Sequence, residues 1–159
     1  MSWNNDNVPK IVLDYDDDQA METAATLAAT LEKNGFEGAD NVRTMMANAH
    51  VEAGKAVNKT ANETLKEVTD LMKERQYHSK SGYIGHGNMV SHTKDHVKGN
   101  HHEIYTDALA NDGYNYSQAF EFGLLTKDYP AHHPYEDTAN HLKGKLEENV
   151  TNAIKRGFN

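Results

Sequence analysis

Residues 41–72, NVRTMMANAHVEAGKAVNKTANETLKEVTDLM, carry the strongest pattern in this chain. Val42, Met46, Ala49, Ala53, Val57, Ala61, Leu65, Val68 and Met72 recur at three- and four-residue steps. That spacing puts them on one side of a long helix. Much of the stripe is alanine and methionine, so this helix is expected to lie close against other elements. Met46 and Met72 read as core filler. Gly54, inside the stripe, reads as a bend or a close contact.

On the N-terminal side, residues 1–9 are polar and end at Pro9, as a flexible arm would. KIVLDYD follows, with Ile11, Leu13 and Tyr15 alternating against Val12 and Asp14, the period of a short strand. Asp16, Asp17 and Asp18 then stand where acidic side chains cap a helix start. The ligand spacing and distal glutamate of a calcium loop are missing. The next helix is expected over Asp18–Lys33, with Met21, Ala24, Ala28 and Leu31 inward and Gly35 ending it.

On the C-terminal side the chain changes character after Arg75. Residues 75–102 are rich in Gly, His, Ser and Lys. They read as a loop leading to strands near Met89–His96 and His101–Ala108, with a turn at Val97–Asn100. NDGYN is a second turn. Tyr114–Phe122 fits a third strand or a short helix, and periodicity does not choose between them. On the strand reading, Tyr114, Tyr116, Phe120 and Phe122 share one face and Glu121 takes the other. From Tyr135 onward, Ala139, Leu142, Leu146, Val150, Ala153 and Ile154 predict one terminal amphipathic helix that Gly157 stops. The expected fold class is α+β: long helices packed on a small antiparallel β-sheet, with a C-terminal amphipathic helix. Residues 10–159 are expected to form one domain, with 76–102 as a polar loop and hairpin insertion.

Lys and Arg number 16 against 24 Asp and Glu, a formal net charge of −8. That balance disfavours binding nucleic acid through its phosphates. The chain has no cysteine, which removes disulfides, thiolate metal sites and cysteine nucleophiles. No signal peptide or membrane span is visible, and the expectation is a soluble cytoplasmic product.

Ten histidines invite a metal hypothesis. A metal-dependent hydrolase would draw on His92, His96, His101 and His102, but the metalloprotease order is absent. Solvated loop histidines are the expected account, with no metal and no cofactor. Glu121, Asp128, Glu136 and Asp137 supply carboxylates without a spacing that fixes a catalytic pair. GYIGHG, at 82–87, lacks the dinucleotide-binding order. No catalytic residue is assigned. A DNA-packaging factor, using a local patch at Lys80, Lys94 and Lys98, is a second alternative that the acidic balance opposes.

The order of features resembles the tail-component family of long-tailed bacteriophages, neck and tail-completion proteins of the head–tail junction. The residues that carry the resemblance are the long helix over 40–74, the turn Gly85–Ser91, the unit Tyr116-Ser117-Gln118-Ala119-Phe120-Glu121-Phe122-Gly123, and Ala131-His132-His133-Pro134-Tyr135. The likeness spans about residues 42–156. Ala119 stands where that family usually has an aromatic residue. The resemblance implies a strand at 116–123. It implies a structural protein of the virion, assembled in the bacterial cytoplasm, with no enzymatic activity. Copies would form a ring, six being the expected number, that completes the tail and joins it to the head. Its partners would be the head–tail connector and the tail terminator or tail tube. DNA would pass through the lumen without specific binding, and no membrane is involved. Tyr116, Phe120, Glu121, Phe122, Gly123, Pro134 and Tyr135 become the candidate interface positions. Glu121 is expected to pair with a basic group, most simply in the next subunit.

Overall fold

The computed structural model describes residues 5–77, 88–110, 113–124 and 129–159. His78, Lys80, His86, the GYIGHG segment, the first half of the Gly85–Ser91 turn and Asp128 lie outside the described residues. The fold is α+β. The elements run β1 (Ile11–Asp14), α1 (Asp18–Lys33), α2 (Ala39–Tyr77), α3 (Asn88–Ser91), β2 (Thr93–Lys98), β3 (His101–Thr106), α4 (Ser117–Phe122), α5 (Pro134–His141) and α6 (Lys145–Gly157). They fall into two compact units. One holds Met1–Leu13 and Ala61–Lys143, the other Asp14–Thr60 and Gly144–Asn159.

The second unit is helical. α1 occupies the expected span. Its first N–H, on Asp18, is taken by Asp16 Oδ1 at 2.9 Å. Asp17 turns its own carboxylate to His50 Nδ1, 2.6 Å away on α2. At the other end Gly35 adopts φ +74°, while the N–H groups of Gly35 and Phe36 return to the carbonyls of Glu32 and Leu31. This is a Schellman ending, which requires the left-handed conformation glycine adopts without strain. Ala53, Ala56, Val57, Val150 and Ala153 form the core, with Tyr15, Leu146 and Ile154 packed against it. Burying one valine such as Val57 contributes about 1.5–3 kcal/mol. The small residues let α6 approach α2 closely. A Cβ at Gly157 would lie 2.6 Å from Ala49 Cα. Gly157 is the last residue of α6, as expected, and it also serves this helix contact.

The first unit contains the sheet, in order β1-β3-β2, with β2 and β3 antiparallel. Lys98 pairs with His101, leaving Gly99-Asn100 as a two-residue turn. Gly99 takes φ +62° in the first central position, where type II′ turns place glycine. Thr93 Oγ1 donates to the Met89 carbonyl at 2.5 Å and Thr106 Oγ1 donates to it at 3.2 Å, so the sheet's polar side chains pin α3. Val68, Met72, Met89, Ile104 and Tyr135 are buried in this unit. Asn5, in the segment read as a flexible arm, bonds to the Gly113 carbonyl (2.8 Å) and to the Asn115 N–H (2.9 Å).

Three expectations are corrected. The strand expected from Met89 begins only at Thr93, because Asn88–Ser91 coils into α3. The single terminal helix is two helices, parted at Leu142–Gly144, where Gly144 adopts φ +83°. The apolar spacing runs in step across the break, so periodicity alone does not reveal it. The strand implied at 116–123 is the helix α4. Asn115 decides that region locally: its Oδ1 accepts the Ser117 hydroxyl at 2.6 Å and the Ser117 N–H at 3.2 Å, capping the first turn.

Candidate functional site

A helix rotates each residue by about 100°, so α4 reverses the faces that a strand would give. Phe120 and Phe122 part, the first 5% exposed and the second 58%. Glu121 turns inward to 2% exposure. Its carboxylate meets the start of α5. Oε2 accepts the Tyr135 N–H and Oε1 the Glu136 N–H, each at 2.9 Å.

The sequence of α5 explains why that carboxylate is needed. A helix start leaves its first N–H groups without partners. Pro134 occupies the first position and has no N–H to satisfy. His133, preceding it, makes no side-chain cap. Glu121 therefore satisfies the two remaining donors from outside the helix, and its charge faces the positive end of the α5 dipole. The pairing expected with a basic group of another subunit is replaced by this contact within the chain.

The surrounding residues lock the arrangement. The His132 N–H donates to the Phe120 carbonyl at 2.8 Å and the His133 N–H to the Glu121 carbonyl at 3.3 Å. The His132 ring stacks on Phe120, with centroids 4.4 Å apart and planes 4° from parallel. Arg75, near the end of α2, donates to the His132 carbonyl and pairs with Asp137 at 2.7 Å. Gly123 closes α4 at φ +78°, ψ 173°. A Cβ there would meet the Ala131 nitrogen and the Tyr129 carbonyl oxygen, both at 2.8 Å. Pro134 and Tyr135 are buried, and Tyr116 is the residue just before α4. Five of the seven candidate positions, Phe120, Glu121, Gly123, Pro134 and Tyr135, thus build one knuckle between α4 and α5, while Tyr116 precedes it and Phe122 projects from it.

Burial is the largest influence on the titrating groups. It raises the Glu121 carboxyl above its ordinary value, against the two N–H bonds and nearby His133. It lowers the His132 imidazole, and the Arg75 charge adds to that. It drives the Tyr135 phenol far up. A carboxylate whose oxygens both hold backbone N–H groups is a structural element first, and a poor general base.

The four histidines considered for a hydrolase are dispersed. His92 pairs with Asp107 at 2.9 Å, and His101 lies 3.3 Å from Glu103. His96 stacks on Tyr105, and buried His102 bonds through Nδ1 to Asp95 at 2.7 Å. Among the described residues they form no group of three converging ligand atoms. Glu121, His133 and Glu136 do form such a group.

Sequence reading found Glu121, Gly123 and Pro134 but missed Arg75, His132 and Asn115. A signal for the capping contact was present: a proline-started helix preceded by histidines, with no Ser, Thr, Asp or Asn at the cap. Compared with protein-family models, with curated proteins and with solved structures, the chain matches none.

Proposed function

We propose that this chain is an assembly protein, whose work is to form interfaces, and that its assembly is a homo-oligomeric ring at the head–tail junction of a long-tailed bacteriophage. The ring and its place rest on the motif resemblance. The helix at 117–122, where that resemblance implied a strand, narrows its support to the long helix and the Glu-Phe-Gly and His-His-Pro-Tyr units.

The observation that carries the interface role is a solvent-open groove of about 730 Å³ in the second unit. Leu27, Val42, Met46, Ile154 and Phe158 line it, and Leu27 is 50% exposed. Apolar surface gathered in this way marks a site of association more than isolated exposed side chains do. In the proposed ring a neighbouring copy fills the groove, and repeated head-to-tail contacts close by rotation. The knuckle at Glu121 holds α4 and α5 rigid, so that Phe122 is presented in a fixed direction. The formal charge of −8 suits a conduit wall that must not retain DNA.

Native mass spectrometry and negative-stain microscopy of the purified full chain test this reading. Closed rings of about six copies are expected, and Leu27→Asp should disperse them. A chain that stays monomeric at all accessible concentrations would remove the ring.

A further inference from the structure

We propose that Glu121, His133 and Glu136 form a seat for a first-row divalent cation at the junction of α4 and α5. This goes beyond the assembly role and does not depend on it.

The three side chains offer one imidazole nitrogen and two carboxylate oxygens, all within 4.8 Å of one another. His133 Nδ1 and Glu136 Oε2 are 3.0 Å apart. Two ligands about 2.0–2.1 Å from a tetrahedral zinc ion stand about 3.3 Å apart, so this pair already has nearly the required spacing. Glu136 is exposed, so its carboxylate is free to adjust around an ion held by the other two.

His133 Nδ1 is screened from solvent and makes no hydrogen bond, although Glu136 is close; the carboxylate lies off the direction such a bond requires. Glu121 is equally suited. Each ionised oxygen has two acceptor sites, and each spends one on a backbone N–H. The second site on each oxygen remains for a cation. The positive end of α5 opposes a cation here, and the two negative carboxylates outweigh its half charge. His133 is also the described non-glycine residue with positive φ, at 53°, and that backbone turn brings its ring beside the two carboxylates.

The donor set selects the ion. Imidazole with carboxylates suits zinc and its neighbours in the first transition row, whereas calcium and magnesium prefer all-oxygen sites. Three protein ligands leave room for water on the ion. The bound ion would tie α4 to the first turn of α5 through side chains, in addition to the capping bonds.

The test uses untagged full-length protein stripped with a chelator and titrated with zinc chloride alone. Calorimetry and thermal unfolding give the readouts. The expected result is one zinc per chain in the tightest class of sites, with a raised unfolding temperature. His133→Asn tolerates the left-handed backbone, and Glu136→Gln keeps the side chain's shape. Both should weaken zinc about tenfold or more and abolish the thermal shift, since loss of a group that merely orients a metal ligand already costs about 10–100-fold. The Glu121 cap survives in both, so circular dichroism should match the parent. His92→Asn, at a surface pair remote in the sequence, should leave the tight site unchanged. Absence of a tight site, or one that His133→Asn and Glu136→Gln weaken less than tenfold, overturns the proposal. So does a tight site lost in His92→Asn.

Discussion

Replacing Glu121 with alanine tests the capping contact most sharply. The carboxylate accepts two N–H groups at 2.9 Å. A hydrogen bond to a charged group is worth about 1.5–3 kcal/mol, and a buried donor left bare costs about 1–3 kcal/mol. The two donors differ in what happens next. Tyr135 is 4% exposed, so its N–H stays orphaned, whereas the N–H of Glu136 can take water. Removing the carboxylate also relieves the burial that raises its pKa, which offsets part of the loss. The net destabilisation should be about 3 kcal/mol, or roughly 6–12 °C in Tm for a chain of this size. Thermal and urea unfolding, followed by circular dichroism, measure it. Glu121→Gln keeps one acceptor and should lose about half as much. A loss below about 1 kcal/mol for Glu121→Ala would refute the reasoning. Stability that is unchanged while self-association fails would return Glu121 to an interface between subunits.

Other perturbations follow from the packing and the burial. Gly123→Ala should cost about 3 kcal/mol or more, since φ +78° with ψ 173° is glycine territory and a Cβ meets backbone on two sides; an unchanged urea midpoint would contradict this. Gly157→Ala should destabilise by about 1–3 kcal/mol, although helix propensity alone favours alanine by about 1 kcal/mol, because Ala49 Cα leaves no space. A gain in stability there would show that α6 does not approach α2 closely. Burial raises the phenols of Tyr15, Tyr114, Tyr129 and Tyr135 above the ordinary 10.0. Their neutral forms are favoured by folding, so this stability is complete below the unfolded value and is lost as pH rises through the folded ones. Tyrosinate absorbance should therefore lag in these four and appear together with alkaline unfolding; a simple titration of all tyrosines in the folded protein would refute it.

The helices were legible where periodicity and punctuation agreed. α1 has its acidic start, its inward stripe and Gly35, and its expected span is the observed one. The long stripe of α2 gave that helix within a few residues, because ends fray while a sustained 3.6-residue period does not. The buried threonines of α2, Thr60 and Thr64, escaped notice, since polarity hides a buried residue such as Thr60, whose hydroxyl is satisfied by its own helix. The site was half legible. Aromatics two apart at 120 and 122 suggest a strand, but the segment is a helix whose first turn Asn115 caps. That single change sends Glu121 inward. Its partners at 135 and 136 are backbone groups, which side-chain patterns do not show. Arg75 is 57 residues from the His132 carbonyl it holds, a pairing no local spacing can announce.

The central claim is the place of this protein in a virion, and electron microscopy of lysates from a phage lacking the gene tests it most directly. The account predicts DNA-filled heads lying beside separate tails, finished if the ring joins them and of uncontrolled length if it also terminates the tail. Intact, normal virions in such a lysate would contradict it.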